Sequence, residues 1–225
     1  MRFPRTTTIV PRRKFERKIM KEEPIQAILS KFKLWEACNK PGEDQVRTTM
    51  EYVFFEDGYA YASNSHILAR APLRLISSLD DDSLALFNGH ALHGPLMKYL
   101  AGLWPLRVEK ETITNEKGEE TEKVYIYAEH GDNEVRVALT NPDQVKSPKF
   151  AELFKVSGER VPISKIGISQ KLLNRLTSAL GTTDIKMGFL SESRQVFVSP
   201  IHFDCEGAEG VIMPIMITGT FDGFE

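Results

Sequence analysis

Residues 52–73, YVFFEDGYAYASNSHILARAPL, constrain the fold more than any other stretch of this chain. Asp57-Gly58 lies between two runs rich in aromatic and β-branched side chains, a pattern that predicts a two-residue hairpin turn. The second run, Tyr59 to Ala62, breaks at Ser63-Asn64-Ser65, and a third begins at His66. Three short strands in a meander are therefore expected here. The same grammar, a helix followed by three short strands, returns twice downstream.

The first helix is predicted over Ile25 to Cys38. Pro24 suits a first helical turn, and Ile25, Ile28, Leu29, Phe32 and Trp35 form one apolar stripe, with Lys31 and Lys33 off it. A strand from Arg47 to Phe55 then leads into the meander. His93-Gly94-Pro95 predicts a brief helix, Leu96 to Ala101, followed by strands at Leu106–Thr114, Glu122–Glu129 and Glu134–Thr140. Residues 141–161 read as an irregular connector with Phe150 and Phe154 as anchors. Ser169 is placed as the N-cap of a third helix whose buried face is Leu172, Leu173, Leu176, Ala179 and Leu180, with Gly181 as its stop. Lys171 and Arg175 share its other face. Strands are expected at Asp184–Leu190, Gln195–Pro200 and Gly210–Ile217, with Pro214 marking an edge or a bend. Helix plus three strands thus occurs at 25–73, 93–140 and 169–217. A repeat of that length points to a duplicated unit in which a helix covers a small antiparallel sheet, an α+β architecture.

Composition narrows the function. A chain of 225 residues that is 41% hydrophobic and 27% charged suits one or two soluble domains. No apolar run nears the roughly 18 residues of a membrane span, and the N-terminus lacks the apolar core of a secretory signal. Cys38 and Cys205 are too few for a disulfide framework, which suits the cytoplasm. His66, His90, His93, His130 and His202 show no metal spacing, and no phosphate-binding glycine loop is present. His202, Asp204 and Cys205 match no recognised nucleophile arrangement. The expectation is a non-enzyme that needs no cofactor and no metal. Charge is uneven: residues 1–24 hold eight Lys/Arg against three Glu, and the rest 21 against 28. Such an arm either touches nucleic acid, stays solvated, or folds onto its own acidic body.

Two short motifs carry a family resemblance. Ala62-Ser63-Asn64-Ser65-His66-Ile67-Leu68-Ala69 resembles the A-T-D-G-H-R-L-A segment of the bacterial DNA sliding clamp, the β subunit of the replicative polymerase. Gly210-Val211-Ile212-Met213-Pro214-Ile215 resembles that family's closing V-V-M-P-M-R-L, and Asn141 to Phe154 is similar to its linker containing F-P-D-Y. Ser63-Asn64-Ser65 replaces Thr-Asp-Gly, and Ile67 and Met216 stand where Arg is usual. The resemblance implies repeated βαβββ modules with antiparallel sheets and one helix per module. It divides the chain into a basic arm at 1–24, a two-module domain at 25–148 and a second, partial domain at 149–225. It implies a DNA-binding processivity factor that grips or encircles duplex DNA, assembles as a homo-oligomer, and docks replication and repair proteins through short peptides.

On that resemblance, helix cations face phosphates: Lys31, Lys33, Lys98, Lys171 and Arg175. They would hold DNA without reading its sequence. A partner-peptide pocket would take in Ser63, Ser65, His66, Ile67, Leu68, Val211, Met213, Pro214 and Ile215. The bland alternatives are solvated helix faces for the first set and ordinary core packing for the second. The competing function is a clamp-fold adaptor or DNA-binding module that closes no ring. The closing segment, with Phe221 and Phe224, extends past the family's usual end and offers two aromatics to such a pocket.

Overall fold

The structure, a computed structural model, describes residues 8–10, 26–114, 118–155, 166–189 and 195–215. The basic cluster Arg12-Arg13-Lys14 with Arg17 and Lys18, and the segment 216–225, lie outside the described residues. In chain order the strands are β1 (Thr8–Val10), β2 (Tyr52–Glu56), β3 (Tyr59–Ser63), β4 (Ile67–Pro72), β5 (Ala91–His93) and β6 (Leu106–Thr114). They continue as β7 (Glu120–His130), β8 (Asn133–Ala138), β9 (Ile185–Phe189), β10 (Val196–Pro200) and β11 (Glu209–Ile212). The helices are α1 (Leu73–Ile76), α2 (Asp81–Ala85), α3 (Gly94–Leu100), α4 (Phe150–Leu153) and α5 (Gln170–Ala179). Among the described residues every strand pairing is antiparallel, in a four-stranded sheet ordered β1-β8-β7-β6 and a seven-stranded sheet ordered β5-β2-β3-β4-β11-β10-β9. The fold is α+β, as its sequence grammar implies.

The meander forms where the dipeptide signal places it. Asp57 and Gly58 adopt φ of 50° and 77°, the left-handed pair that lets a two-residue turn follow the strand twist. Glu56 then faces Tyr59, and Phe54 faces Tyr61. Side chains alternate across the sheet. Ala60, Ala62, Ile67, Ala69 and Ile212 join the main core, while Phe54, Tyr61, Leu68 and Val211 form a second cluster on the opposite face.

Two of the three expected helix-and-sheet units are present, α3 with β6–β8 and α5 with β9–β11. In α5, Ser169 Oγ accepts the Leu172 N–H at 3.4 Å, Leu176, Ala179 and Leu180 are buried, and Gly181 ends it at φ 69°. The helix expected at 25–38 does not form. Residues 27–29 run extended against 76–78, with Leu29 N–H to Ile76 O at 2.8 Å and Ser78 N–H to Ala27 O at 3.0 Å. A 3-10 turn at Leu34–Glu36 follows. Burial explains the outcome: Leu34, off the helical stripe, is fully buried, while Leu29, on it, is 40% exposed. Tertiary pairing overrides the local period. The strand expected from Arg47 likewise starts only at Tyr52, after a 3-10 turn at Thr48–Glu51.

The division expected at 148/149 does not separate two cores. Strand β11 pairs with β4, Val211 opposite Leu68, so the last strands extend the sheet begun by the first. Helix α5 packs against the 34–36 turn, and its buried face belongs to the same core as Leu34 and Met97. Nor is the 1–24 arm wholly separate, since β1 forms an edge of the four-stranded sheet against β8.

Candidate functional site

The two motifs, roughly 145 residues apart in sequence, meet through that β4–β11 pairing. The turn between β3 and β4 is held by its own side chains. Asn64 Oδ1 accepts the N–H groups of His66 at 3.0 Å and Ile67 at 2.9 Å, and Ser63 Oγ donates to Ile67 O at 2.8 Å. This is the local competition with regular backbone pairing that makes Ser and Asn turn formers. Ser65 sits at φ 73°, a strained position for a residue with a Cβ. Its buried Oγ has no hydrogen-bond partner among the described residues. From the other side, the Met213 N–H donates to His66 O at 2.9 Å, tying the exit of β11 to the turn.

A groove of about 370 Å3 opens over this junction. Seven of the nine expected pocket residues line it: Ser63, Ser65, His66, Ile67, Leu68, Val211 and Met213. Ile67 adds little of its side chain, which is buried in the main core. Pro214 and Ile215 do not line it. They lie past the end of β11, where the Ile215 N–H donates to Gly167 O at 2.9 Å. Pro214 has left the sheet, as a residue with no N–H must when its strand lies between two neighbours.

The sequence did not reveal the rest of the lining: Pro148, Lys149, Phe150, Glu152 and Leu153 from the connector, with Met50 and Gln195. The connector folds back over the second face of the seven-stranded sheet. Phe150 stacks on Tyr61 at 6.3 Å and meets Phe54 edge-on at 5.8 Å. Arg70 lies 4.2 Å from the Phe154 ring centroid and donates to Glu209 from Nε at 2.9 Å. The visible signal was the pair Phe150 and Phe154, which pointed to anchoring but not to where. The result is an apolar floor of Leu68, Val211 and Phe150, with Met213, 38% exposed, and Leu153, 40% exposed, at the rim. Such a cleft suits an apolar side chain carried on a peptide, and a methionine there adapts to its shape.

The five expected DNA-facing cations do not form one set. The Arg175 side chain is only 11% exposed: its Nε donates to Glu36 O at 2.7 Å, a terminal nitrogen donates to Cys38 O, and Nη1 lies 3.5 Å from Glu43. It stitches α5 to the 34–36 turn, so it is not an outward cation. Lys31 pairs with Asp204 at 2.5 Å, a contact that raises the lysine's pKa and lowers the carboxylate's. Lys33, Lys98 and Lys171 are exposed. Lys31 and Lys33 also border a second, polar cleft of about 470 Å3 near the end of α5, beside Thr182, His202 and Cys205. Among the described residues no three His, Cys, Asp or Glu side chains gather as a metal site, and no helix is long and apolar enough to cross a membrane.

No family model and no curated protein matches this sequence. Among solved structures it is similar to the DNA polymerase III β subunit of Thermotoga maritima, with a TM-score of 0.48 and 11% identity, over 88% of this chain and 66% of that one. It is also similar to the DNA polymerase sliding clamp of Pseudomonas aeruginosa, with a TM-score of 0.47 and 14% identity, over 88% of this chain and 68% of that one. A third likeness is to the pol III β of Caulobacter crescentus, with a TM-score of 0.45 and 12% identity, over 89% and 68% of the two chains. The likeness is one of fold, and this chain spans about two thirds of the length of each of those proteins.

Proposed function

We propose that this chain is a clamp-like accessory protein of DNA replication or repair, one that docks short apolar segments of partner proteins and grips duplex DNA. The groove carries the proposal. Two separate motifs, each resembling a sliding-clamp segment, converge on one apolar cleft lined by Leu68, Val211 and Met213. No bond chemistry is asked of the site. Docking supplies specificity through the cleft, while Lys33, Lys98 and Lys171 supply weak phosphate contacts that leave the protein free to slide. Self-assembly into a ring belongs to this reading.

A second reading, a clamp-fold adaptor that closes no ring, is favoured by the engagement of Arg175 and Lys31 within the protein. Loading the purified chain on nicked circular plasmid and then cutting the circle separates the two. A clamp is retained on the circle at moderate salt, is lost on linearisation, and has the molar mass of a closed oligomer. A monomer that leaves circular and linear DNA equally as salt rises is the adaptor. No affinity for duplex DNA at low salt removes DNA from either reading.

A further inference from the structure

We infer that Arg70, which lies outside the groove, positions the groove's connector wall by clasping Phe154, so that the grip on a bound peptide depends on that contact. This rests on the reading of the groove as a peptide dock and names the residue that keeps the dock in shape. Among the described residues no backbone–backbone hydrogen bond ties 142–155 to either sheet. Gln144 and Val145 donate to Asn141 O, Glu152 to Lys149 O, Phe154 to Ala151 O and Lys155 to Glu152 O, all within the connector. The exposed ion pair of Lys149 with Glu152, at 3.4 Å, also closes within it. The wall is therefore held to the sheet through side chains.

Two rings do most of this. Phe150 and Phe154 stand at either end of the α4 turn, a spacing that puts both on one side of it. Phe150 packs on Tyr61 and Phe54, while Phe154 lies 6.3 Å from the Tyr61 ring and 4.2 Å from the guanidinium carbon of Arg70. Phe150 lines the groove; Phe154 and Arg70 do not. Arg70 is itself fixed. It stands directly opposite Tyr61 on β3 and Glu209 on β11, and its Nε, at 2.9 Å, and Nη2 both donate to Glu209 Oε2. Those two bonds set the plane of the guanidinium, whose carbon also lies 5.0 Å from the Tyr59 ring centroid. The Arg70 side chain is only 21% exposed, so its contact with the rings is partly shielded from water. An arginine against an aromatic face in such a setting shifts an equilibrium by roughly two- to thirtyfold. If the wall lifts, Phe150 and Leu153 leave the lining, and apparent affinity falls with the fraction of chains in which it is closed.

The test titrates a fluorescent five-residue Leu/Phe peptide with the full chain and with its Arg70→Gln, Phe154→Leu and doubly substituted variants, and with Phe154→Tyr as the rescue. Arg70→Lys, which keeps a charge beside Glu209 without the planar face, replaces Arg70→Gln if the urea midpoint shows that glutamine harms folding. The expected result is that each single variant weakens the peptide about five- to tenfold, that the double variant loses no more than the weaker-binding single one, and that Phe154→Tyr binds within about twofold of the parent. Parent-like affinity in both single variants, with binding still lost on Met213→Glu, overturns the inference and leaves the docking site standing. So does a double variant whose loss is the product of the single losses, since the two residues then act separately. Weakening that persists in Phe154→Tyr also overturns it. Failure of the parent chain to bind the peptide removes the docking reading and this inference with it.

Discussion

Substituting Gly210 tests whether α5 is seated on β11, the junction that joins the last strands to the first. An ideal Cβ at Gly210 would lie 2.6 Å from Leu176 Cδ1 and 3.1 Å from Cδ2 and Cγ, and Leu176 is fully buried. Gly210 is not among the glycines with positive φ, so alanine meets no backbone strain. On backbone entropy alone, Gly210→Ala would stabilise the chain by about 0.4–1 kcal/mol. Overpacking a closed core instead costs about 1–3 kcal/mol. The net expectation is a destabilisation of about 0.5–2 kcal/mol, the opposite sign to the entropic effect. Leu176→Ala alone removes a buried side chain and costs about 3–5 kcal/mol. In the double variant the new methyl enters space the leucine has left, so the loss falls short of the summed single losses by at least about 1 kcal/mol. Urea unfolding of the four proteins, followed by circular dichroism, gives each difference from its midpoint. A stabilised Gly210→Ala chain, or a double variant additive within about 0.5 kcal/mol, would refute the close approach of α5 to β11.

Three further outcomes follow from individual contacts. Arg175→Met strands the carbonyls of Glu36 and Cys38 and lowers stability by about 2–3 kcal/mol, yet leaves the salt dependence of DNA binding unchanged. On the proposed grip of duplex DNA, Lys98→Gln and Lys171→Gln do the reverse, each reducing the log–log salt slope by about 0.9, and a slope change from Arg175→Met would contradict this division. The Cys38 thiol, pushed up to about 12 chiefly by burial, is on the order of one in ten thousand thiolate at pH 8. Mass spectrometry should find it unlabelled by iodoacetamide until urea unfolds the chain, whereas prompt native labelling would deny its burial. Asp80 caps α2 by accepting the Ser83 N–H at 2.7 Å, and that bond, followed by Gln26, lowers its pKa. A depressed carboxylate contributes stability that is present above its ordinary pKa and lost as pH falls through the lowered one. Asp80→Asn keeps the cap without the titration, so its urea midpoint should fall less steeply than the parent's between pH 5 and 2. Identical slopes would rule this contribution out.

Local chemistry was legible where it decided the structure locally. Asp57-Gly58 specified a hairpin, Ser169 and Gly181 bounded α5, and Gly94-Pro95 opened α3, because each acts within one or two turns of backbone. Residues 25–38 were not legible, since their helical stripe competes with pairing to 76–78 and with the burial of Leu34, both set by distant residues. The site divides in the same way. The Ser63–Leu68 turn and the Val211–Met213 segment were readable as motifs, and the β4–β11 pairing brings them together. The wall from Pro148 to Leu153 was not, because nothing in an irregular connector tells which sheet face its aromatics will cover. Arg175 shows the limit of a helical wheel: its position looked solvated, but the 34–36 turn was packed against it.

The most direct test of the docking groove is hydrogen exchange on the full chain, with and without a saturating five-residue Leu/Phe peptide. The account predicts slowed exchange in fragments spanning 63–68, 148–153 and 209–215, and none elsewhere. Binding of the peptide with protection confined to other surfaces, such as the cleft beside Lys33 and Thr182, would contradict it.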